Sequence, residues 1–446
     1  MTESSDIKRW RPKVKTLYLR IMGYKSIRGM TKMKIKPLTL IGGSNSSGKS
    51  SFMQGLLLVK QTIEAQFDPG PLLMNGPNVA LTSVEQMFSR GRSKNDAAKM
   101  FSVGAHINGI SVDLQFTKVK SGLHLKNMRL KRREEVNLHQ GMSADIEFLR
   151  EAPGSRFKRY EKLIDEASAK SSIKRNRCFL EASVKVDSFE FPIPNYAVNT
   201  FRRLAVDTIH VPGLRGNPER VYPSSAVGTA FPGKFEKYVA SLIDSWQNGS
   251  TEDKAKLSAL NRDLESLGLT WKIMSKPVND ISVELLVGRL PHAQQGGAHD
   301  LVNIADVGFG VSQTLPVLVS LIAADAGQIV YIEQPEIHLH PRAQSALSKV
   351  LVRHAKRGVR VIVETHSPLI IKGVQSSLAH KEVDPEDVAL HWFTRSSEDG
   401  CTSLKTANVD EFGRFGDWPI DFDEVVMNSE MEYLDAVEDR MQEEGF

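Results

Sequence analysis

The chain has 446 residues, 41% hydrophobic and 25% charged, with a net charge of +5, so it exceeds a single small core and is expected to form two or three domain-sized units. No apolar run reaches the roughly 18 residues that cross a bilayer, residues 1–13 read as a polar, basic leader and not a signal peptide, and Cys178 and Cys401 lie too far apart to suggest a disulfide framework or a cysteine zinc site. These features lead to the expectation of a cytoplasmic protein without membrane contact. The charge is uneven: residues 410–446 hold 13 acidic side chains against Arg414 and Arg440, which leaves +16 on residues 1–409, a basic body compatible with nucleic acid and an acidic tail compatible with a partner protein.

In chain order, Val14, Leu17, Leu19 and Ile21 alternate with polar residues and predict a strand. A second strand ending near Lys36 makes a β-hairpin. The apolar run Leu38-Thr39-Leu40-Ile41 then feeds Gly43-Ser44-Asn45-Ser46-Ser47-Gly48-Lys49-Ser50, with Ser51 opening a helix over residues 51–66. Strand, G-x-x-x-x-G-K-S and helix form the context of a phosphate-binding loop. Gly43 and Gly48 let backbone N–H groups converge on phosphates, Lys49 adds a positive charge, and the Ser50 hydroxyl can ligand Mg²⁺. ATP and Mg²⁺ are the expected cofactors.

Residues 68–77 are Pro/Gly-rich loop. Strands are expected over 101–116 and 180–186; between them, residues 118–174 are rich in Lys and Arg, including Lys131-Arg132-Arg133 and Arg156-Phe157-Lys158-Arg159-Tyr160. They read as a basic, partly helical insertion able to contact nucleic acid, or simply as a solvated face. Arg215 and Arg220, in a Pro/Gly turn, read as surface arginines with phosphate contact as the alternative. Amphipathic helices are expected at 234–246 and 253–267, a strand at 281–287 and a loop at 294–297.

From residue 301 a strand ends in Gly308-Phe309-Gly310-Val311-Ser312-Gln313, and a helix is expected over 315–324 with Pro316 in its first turn. The buried strand Ile329-Val330-Tyr331-Ile332-Glu333 continues into Gln334-Pro335-Glu336-Ile337-His338-Leu339-His340-Pro341, a helix closed by Gly358, and the strand Val359-Arg360-Val361-Ile362-Val363 running into Glu364-Thr365-His366-Ser367. Strand, helix and strand with short connections make a βαβ unit, hence a parallel sheet with carboxylates at its carboxyl end. Glu336, His338 and His340 could alternatively form a metal cluster, and Glu364, His366 and Ser367 a hydrolase triad, although no G-x-S-x-G elbow is present. Trp418, in Asp417-Trp418-Pro419, is expected to anchor the tail by burial.

These motifs closely resemble, over residues 14–66 and 300–375, the ABC-type ATPases related to RecF, the chromosome-maintenance proteins and the OLD proteins. The resemblance is strongest to stand-alone ATPase subunits of anti-phage systems such as Septu and PARIS. It implies an α/β P-loop NTPase: an ABC-type head with an inserted helical and basic subdomain and a C-terminal cap. The expected divisions are an N-terminal lobe with Walker A (1–116), an inserted lobe (117–300), a C-terminal ATPase lobe (301–380) and a cap with the acidic tail (381–446).

By the same resemblance, Gly43, Ser44, Asn45, Ser46, Ser47, Gly48, Lys49, Ser50 and Ser51 form the nucleotide loop. Gly308, Gly310, Ser312 and Gln313 occupy a signature region that reaches across a homodimer. Ser50 and Glu333 hold Mg²⁺, Gln86 corresponds to the Q-loop, His338, Leu339 and His340 fall at the D-loop, and His366 is the switch histidine. The family usually carries Asp-Glu where this chain has Glu333-Gln334. A neutral amide can orient water but cannot take its proton, so either Glu336 supplies the charge or hydrolysis is slow. The implied role is a sensor or regulatory ATPase, dimeric or higher, acting on a separate nuclease or toxin effector; the competing readings are a RecF-like ATPase that binds DNA itself and, more remotely, a transporter ATPase.

Overall fold

The computed structural model describes residues 14–91, 96–142, 146–153, 155–156, 170–186, 188–224, 227–228, 230–290, 299–416, 431–432 and 434. The expectations for the leader 1–13, for residues 157–160 and 294–297, for Trp418 and for most of the acidic tail lie outside the described residues.

The chain opens with β1 (Leu17–Met22), β2 (Thr31–Lys34), β3 (Leu38–Gly43) and α1 (Lys49–Glu64). There follow β4 (Met100–Ile107), β5 (Ile110–Val119), β6 (Gly122–Lys131), β7 (Glu135–Leu138), α2 (Ile146–Glu151), β8 (Lys170–Asn176), β9 (Phe179–Val186), β10 (Phe189–Ile193) and α3 (Tyr196–Asp207). Then come β11 (Ile209–Val211), β12 (Tyr222–Pro223), α4 (Val239–Asn248), α5 (Thr251–Ser266), β13 (Ile273–Asn279), β14 (Ser282–Gly288), β15 (Leu301–Asn303), α6 (Phe309–Ala323), β16 (Ile329–Glu333), α7 (Pro341–Lys356), β17 (Arg360–Glu364), α8 (Pro368–Ala379), β18 (Val388–Arg395) and β19 (Thr402–Thr406).

The central sheet has the order β11-β16-β17-β3-β18-β19, parallel throughout except for β19. Its strands are apolar on both faces because each face covers a different core. Ile41, Ile329, Tyr331 and Ile362 enter a core shared with α1, α3 and the antiparallel sheet β2-β1-β4-β5-β6-β7. Their neighbours Leu40, Val330, Ile332, Val361 and Val363 enter a second core built by α4 to α8. Period-two alternation thus divides the same strands between two lobes. The antiparallel sheet β12-β14-β13, with β15 on β14, packs against α4.

Several elements differ from the sequence reading. The division expected at 116/117 falls inside β5, and the stretch expected to be partly helical is largely strand where it is described: β6 and β7 extend the antiparallel sheet, and β8 to β10 form a small sheet of their own. The leucines and methionine that fix β6, Leu125, Met128 and Leu130, are buried, but basic residues between them mask the alternation. The segment 234–246 starts as a 3₁₀ turn, Phe235–Tyr238, before becoming α-helical. Pro316 lies in the interior of α6, not its first turn, because that helix begins at Phe309. It can donate no N–H to the Ser312 carbonyl, while Thr314 donates its hydroxyl to the Gly310 carbonyl at 2.6 Å. The expected cap contributes β18 and β19 to the central sheet itself.

His391 of β18 is fully buried. Its Nε2 donates to the Lys34 carbonyl (2.8 Å) and its Nδ1 faces the Thr406 hydroxyl (2.9 Å). Burial pushes its pKa from the ordinary 6.5 to about 4. The unfolded chain therefore takes up a proton that the folded chain refuses, and stability falls as pH drops from about 6.5 to about 4. Chemical unfolding across that window is expected to show a steeper loss in the wild type than in His391→Gln. In the second core, Leu351→Ala is expected to cost about 2–5 kcal/mol, read as a lowered Tm, whereas the exposed Lys349→Ala stays within about 0.5 kcal/mol.

Candidate nucleotide-binding site

The loop between β3 and α1 forms the floor of a cleft of about 990 Å³, lined by Asn45 to Ser51, Lys25, Gln86, Gln334, Glu364, His366 and Arg395, among others. Ser46 (φ 58°) and Gly48 (φ 102°) are left-handed, the backbone hand found in the anion-binding concavities of phosphate loops. Gly43 (φ 139°) and Gly48 are also hemmed in, since a Cβ at either would collide with the Phe393 carbonyl or the Thr402 hydroxyl. Thr402 Oγ1 contacts the Ser47 carbonyl (2.8 Å) and Ser26 Oγ (2.7 Å), so the β18–β19 hairpin braces the loop from its back.

Lys49 is buried and donates to the Gly43 (3.0 Å) and Ser44 (2.8 Å) carbonyls. Burial lowers its pKa, offset in part by Glu364 and Glu336. The Ser47 hydroxyl is buried with no hydrogen-bond partner among the described residues. A buried cation spent on neutral carbonyls and an unpaired hydroxyl at the amino end of α1 fit a phosphate chain, whose charged oxygens are stronger acceptors.

The parallel register brings the carboxyl ends of β16 and β17 to this loop. Glu364 stands opposite Ile41 on β3, and Glu333 stands opposite Glu364. Ser50 Oγ lies 2.9 and 3.1 Å from the two Glu364 oxygens, and the buried Tyr331 hydroxyl donates to Glu364 Oε2 at 2.8 Å. Burial raises the Glu364 pKa. Glu333 has partners of its own: its oxygens accept from His210 Nε2 (3.0 Å) and the Gly213 N–H (3.2 Å), and the Tyr331 hydroxyl lies beside it. Burial pushes its carboxyl up, but those hydrogen bonds and the His210 charge outweigh burial and leave it below its usual range. Among the described residues no three His, Cys, Asp or Glu side chains form a cage for a metal. A hydroxyl with one or two carboxylates suits Mg²⁺, which completes its shell with phosphate and water.

Gln334 (φ 44°) is strained at the turn after β16 and lines the cleft. Glu336 does not line it. Its Oε1 accepts the His366 N–H at 2.6 Å, and burial raises its pKa. His366 faces the cleft with its pKa lowered, first by burial and then by Lys49. Gln86 borders the cleft but engages Thr82 through both ends of its amide. His340 caps α7 through Nδ1, and His338 packs its ring 5.7 Å from Phe309, so Glu336, His338 and His340 do not converge as a metal cluster.

Gly308 and Gly310 line a separate cleft of about 600 Å³ with Leu269 and Val302; none of Gly308, Gly310, Ser312 and Gln313 borders the phosphate loop. Arg215 is not a surface arginine. It is buried, donates to the carbonyls of Gln313 (3.1 Å), Glu333 (2.8 Å) and Gln334 (3.3 Å), and burial lowers its pKa to about 10. Arg220 pairs with Asp306 at the surface. Sequence reasoning thus missed Glu364 as a neighbour of Ser50, and missed Tyr331, His210, Thr402 and the bracing role of Arg215. Only the Glu364 position, at the end of a strand ahead of His366, left a usable signal.

Gly48→Ala is expected to destabilise the unliganded chain by about 1–3 kcal/mol and to abolish nucleotide binding, measured by thermal unfolding and fluorescent-nucleotide titration. Gly109→Ala, also at positive φ but in open space, reports the backbone strain alone and retains binding.

Residues 227–372 match the family described as "AAA domain, putative AbiEii toxin, Type IV TA system". No curated protein sequence matches the chain. Solved structures that it resembles include an SMC head bound to the C-winged helix domain of ScpA (12% identity, 90% of this chain and 99% of that chain, TM-score 0.46) and the SMC head domain from Thermotoga maritima (12%, 89% and 98%, TM-score 0.38). A third is an SMC head with an extended coiled coil bound to the C-terminal domain of ScpA, derived from Pyrococcus furiosus (10%, 95% and 99%, TM-score 0.42). The AAA-family segment runs through β16 and β17, and the phosphate loop that completes the cleft stands on β3 of the same parallel sheet, a mixed α/β arrangement that fits a P-loop nucleotide-binding domain.

Proposed function

We propose that this chain is a cytoplasmic ATP-binding, slowly hydrolysing regulatory ATPase that closes as a homodimer, or a higher oligomer, on ATP and Mg²⁺. In this reading it controls a separate nuclease or toxin effector in anti-phage defence. The observation that carries the slow-hydrolysis reading is the pairing of Gln334 in the cleft with Glu336 behind it: the side chain that would meet attacking water is a neutral amide, and the nearby carboxylate lies off the cleft lining with its Oε1 on the His366 N–H. Lys49 and the loop N–H groups bind and orient the phosphates, and His366 faces them. Ser50 and the carboxylates ending β16 and β17 fit Mg²⁺, which supplies charge neutralisation on the phosphates.

A signature turn outside the phosphate cleft supports completion of the site by a second copy, with Arg215 tying that turn to the end of β16. The effector assignment is supported by the resemblance to anti-phage ATPase subunits and by the toxin-system description of the matched family. Direct DNA contact through the exposed Lys131-Arg132-Arg133 corner is the competing reading.

In single-turnover assays Gln334→Glu is expected to raise hydrolysis by about tenfold or more, Lys49→Ala to abolish nucleotide binding, and Glu336→Ala to disturb binding and turnover together through the His366 turn. A vigorous wild-type rate abolished only by Glu336→Ala overturns the slow-hydrolysis reading. Tight, ATP-dependent and salt-sensitive DNA binding by the isolated protein overturns control of a separate effector as its main task.

A further inference from the structure

We propose that Glu364, and not Glu333, is the carboxylate that shares Mg²⁺ with Ser50. This deepens the ATPase reading above and rests on it. Three independent features converge on Glu364.

The first is topology. β17 lies between β3 and β16, so Glu364 is one strand from the phosphate-loop strand and Glu333 is two. At about 4.8 Å per strand, Glu333 starts roughly twice as far from the loop. The second is contact. Ser50 Oγ sits 2.9 and 3.1 Å from the two Glu364 oxygens, whereas the Glu333 oxygens accept from His210 Nε2 and the Gly213 N–H.

The third is preorganisation. Tyr331, fully buried and stacked on His210 with ring centroids 5.3 Å apart, sets its hydroxyl between the two carboxylates, 2.8 Å from Glu364 Oε2 with Glu333 as its other neighbour, and so holds Glu364 in place beside Ser50. Tyr331 and Glu333 share one face of β16, two residues apart, so β16 supplies the support while β17 supplies the ligand. Glu333 then acts as a positioning residue: through His210 and Gly213 it fixes the loop that carries Arg215, and Arg215 grips the Glu333 and Gln334 carbonyls in return. The division leaves a hydroxyl and a carboxylate on the protein side of the cation, a donor set suited to Mg²⁺ shared with phosphates.

The test is titration of the full-length protein with a fluorescent ATP analogue, in EDTA and over a range of Mg²⁺, with Mn²⁺ binding followed by electron paramagnetic resonance as the second readout. Glu364→Gln is expected to raise the half-saturating Mg²⁺ by about tenfold or more while leaving nucleotide affinity in EDTA within about twofold. Glu364→Asp, which keeps the charge, recovers part of the loss, and Glu333→Gln shifts the Mg²⁺ requirement by about threefold at most. The proposal fails if Glu333→Gln carries the larger Mg²⁺ defect, or if Glu364→Gln weakens nucleotide binding equally with and without the metal, which makes Glu364 only a prop for the loop. Absence of nucleotide binding by the wild-type protein is a different result: it removes the ATPase reading itself, and this proposal with it.

Discussion

The parallel pairing of β3 with β17, and of β17 with β16, is the constraint on which the site depends. Val363 opposite Leu40 and Glu364 opposite Ile41 set the register, and that register is protected by burial on both faces: a slip of one residue would exchange the side chains of the two cores. The carboxyl ends of three strands therefore meet at the amino end of α1. Lys49, Ser50, Glu364 and His366 are neighbours because the sheet leaves them nowhere else to go.

Around that sheet the molecule distributes two tasks. One lobe, with α1, α3 and the six-stranded antiparallel sheet, stabilises the phosphate loop from the side of Leu17, Phe52 and Phe101. The other, with α4 to α8, carries the glycine turn ahead of α6. Arg215 ties this second lobe to the central sheet at the site: its buried guanidinium joins the carbonyls of Gln313 and Glu333. Hydrogen bonds from a charged donor in a buried setting are costly to break, so the Gln334 turn and the start of α6 are physically joined through Arg215. That is the kind of linkage an ATP-responsive switch requires.

What was legible in the sequence was local in the chain. The phosphate loop announces itself within a dozen residues, and the β16-α7-β17 unit is bounded by a proline at the start of its helix and Gly358 at the end. The pairings that finish the site are remote. Ser50 and Glu364 are 314 residues apart, and Thr402 reaches the loop from a further hairpin that period-two reading did not place in the central sheet. The basic middle of the chain misled for a related reason: in β6 the apolar residues alternate with Lys and Arg, and their burial becomes evident only once β5 and β7 lie beside them. Arg215 looked like a turn residue because turn chemistry surrounds it, while its partners are carbonyls contributed by β16 and α6.

Hydrogen exchange of the full-length protein with and without Mg²⁺-ATP addresses the central claim most directly, because it reads both ends of the chain in one experiment. The account predicts simultaneous slowing at residues 43–51 and 364–366, with residues 308–313 joining them as a second copy closes over the site. Protection confined to one end of the chain, or absent from the phosphate loop, would contradict a nucleotide pocket assembled across the parallel sheet.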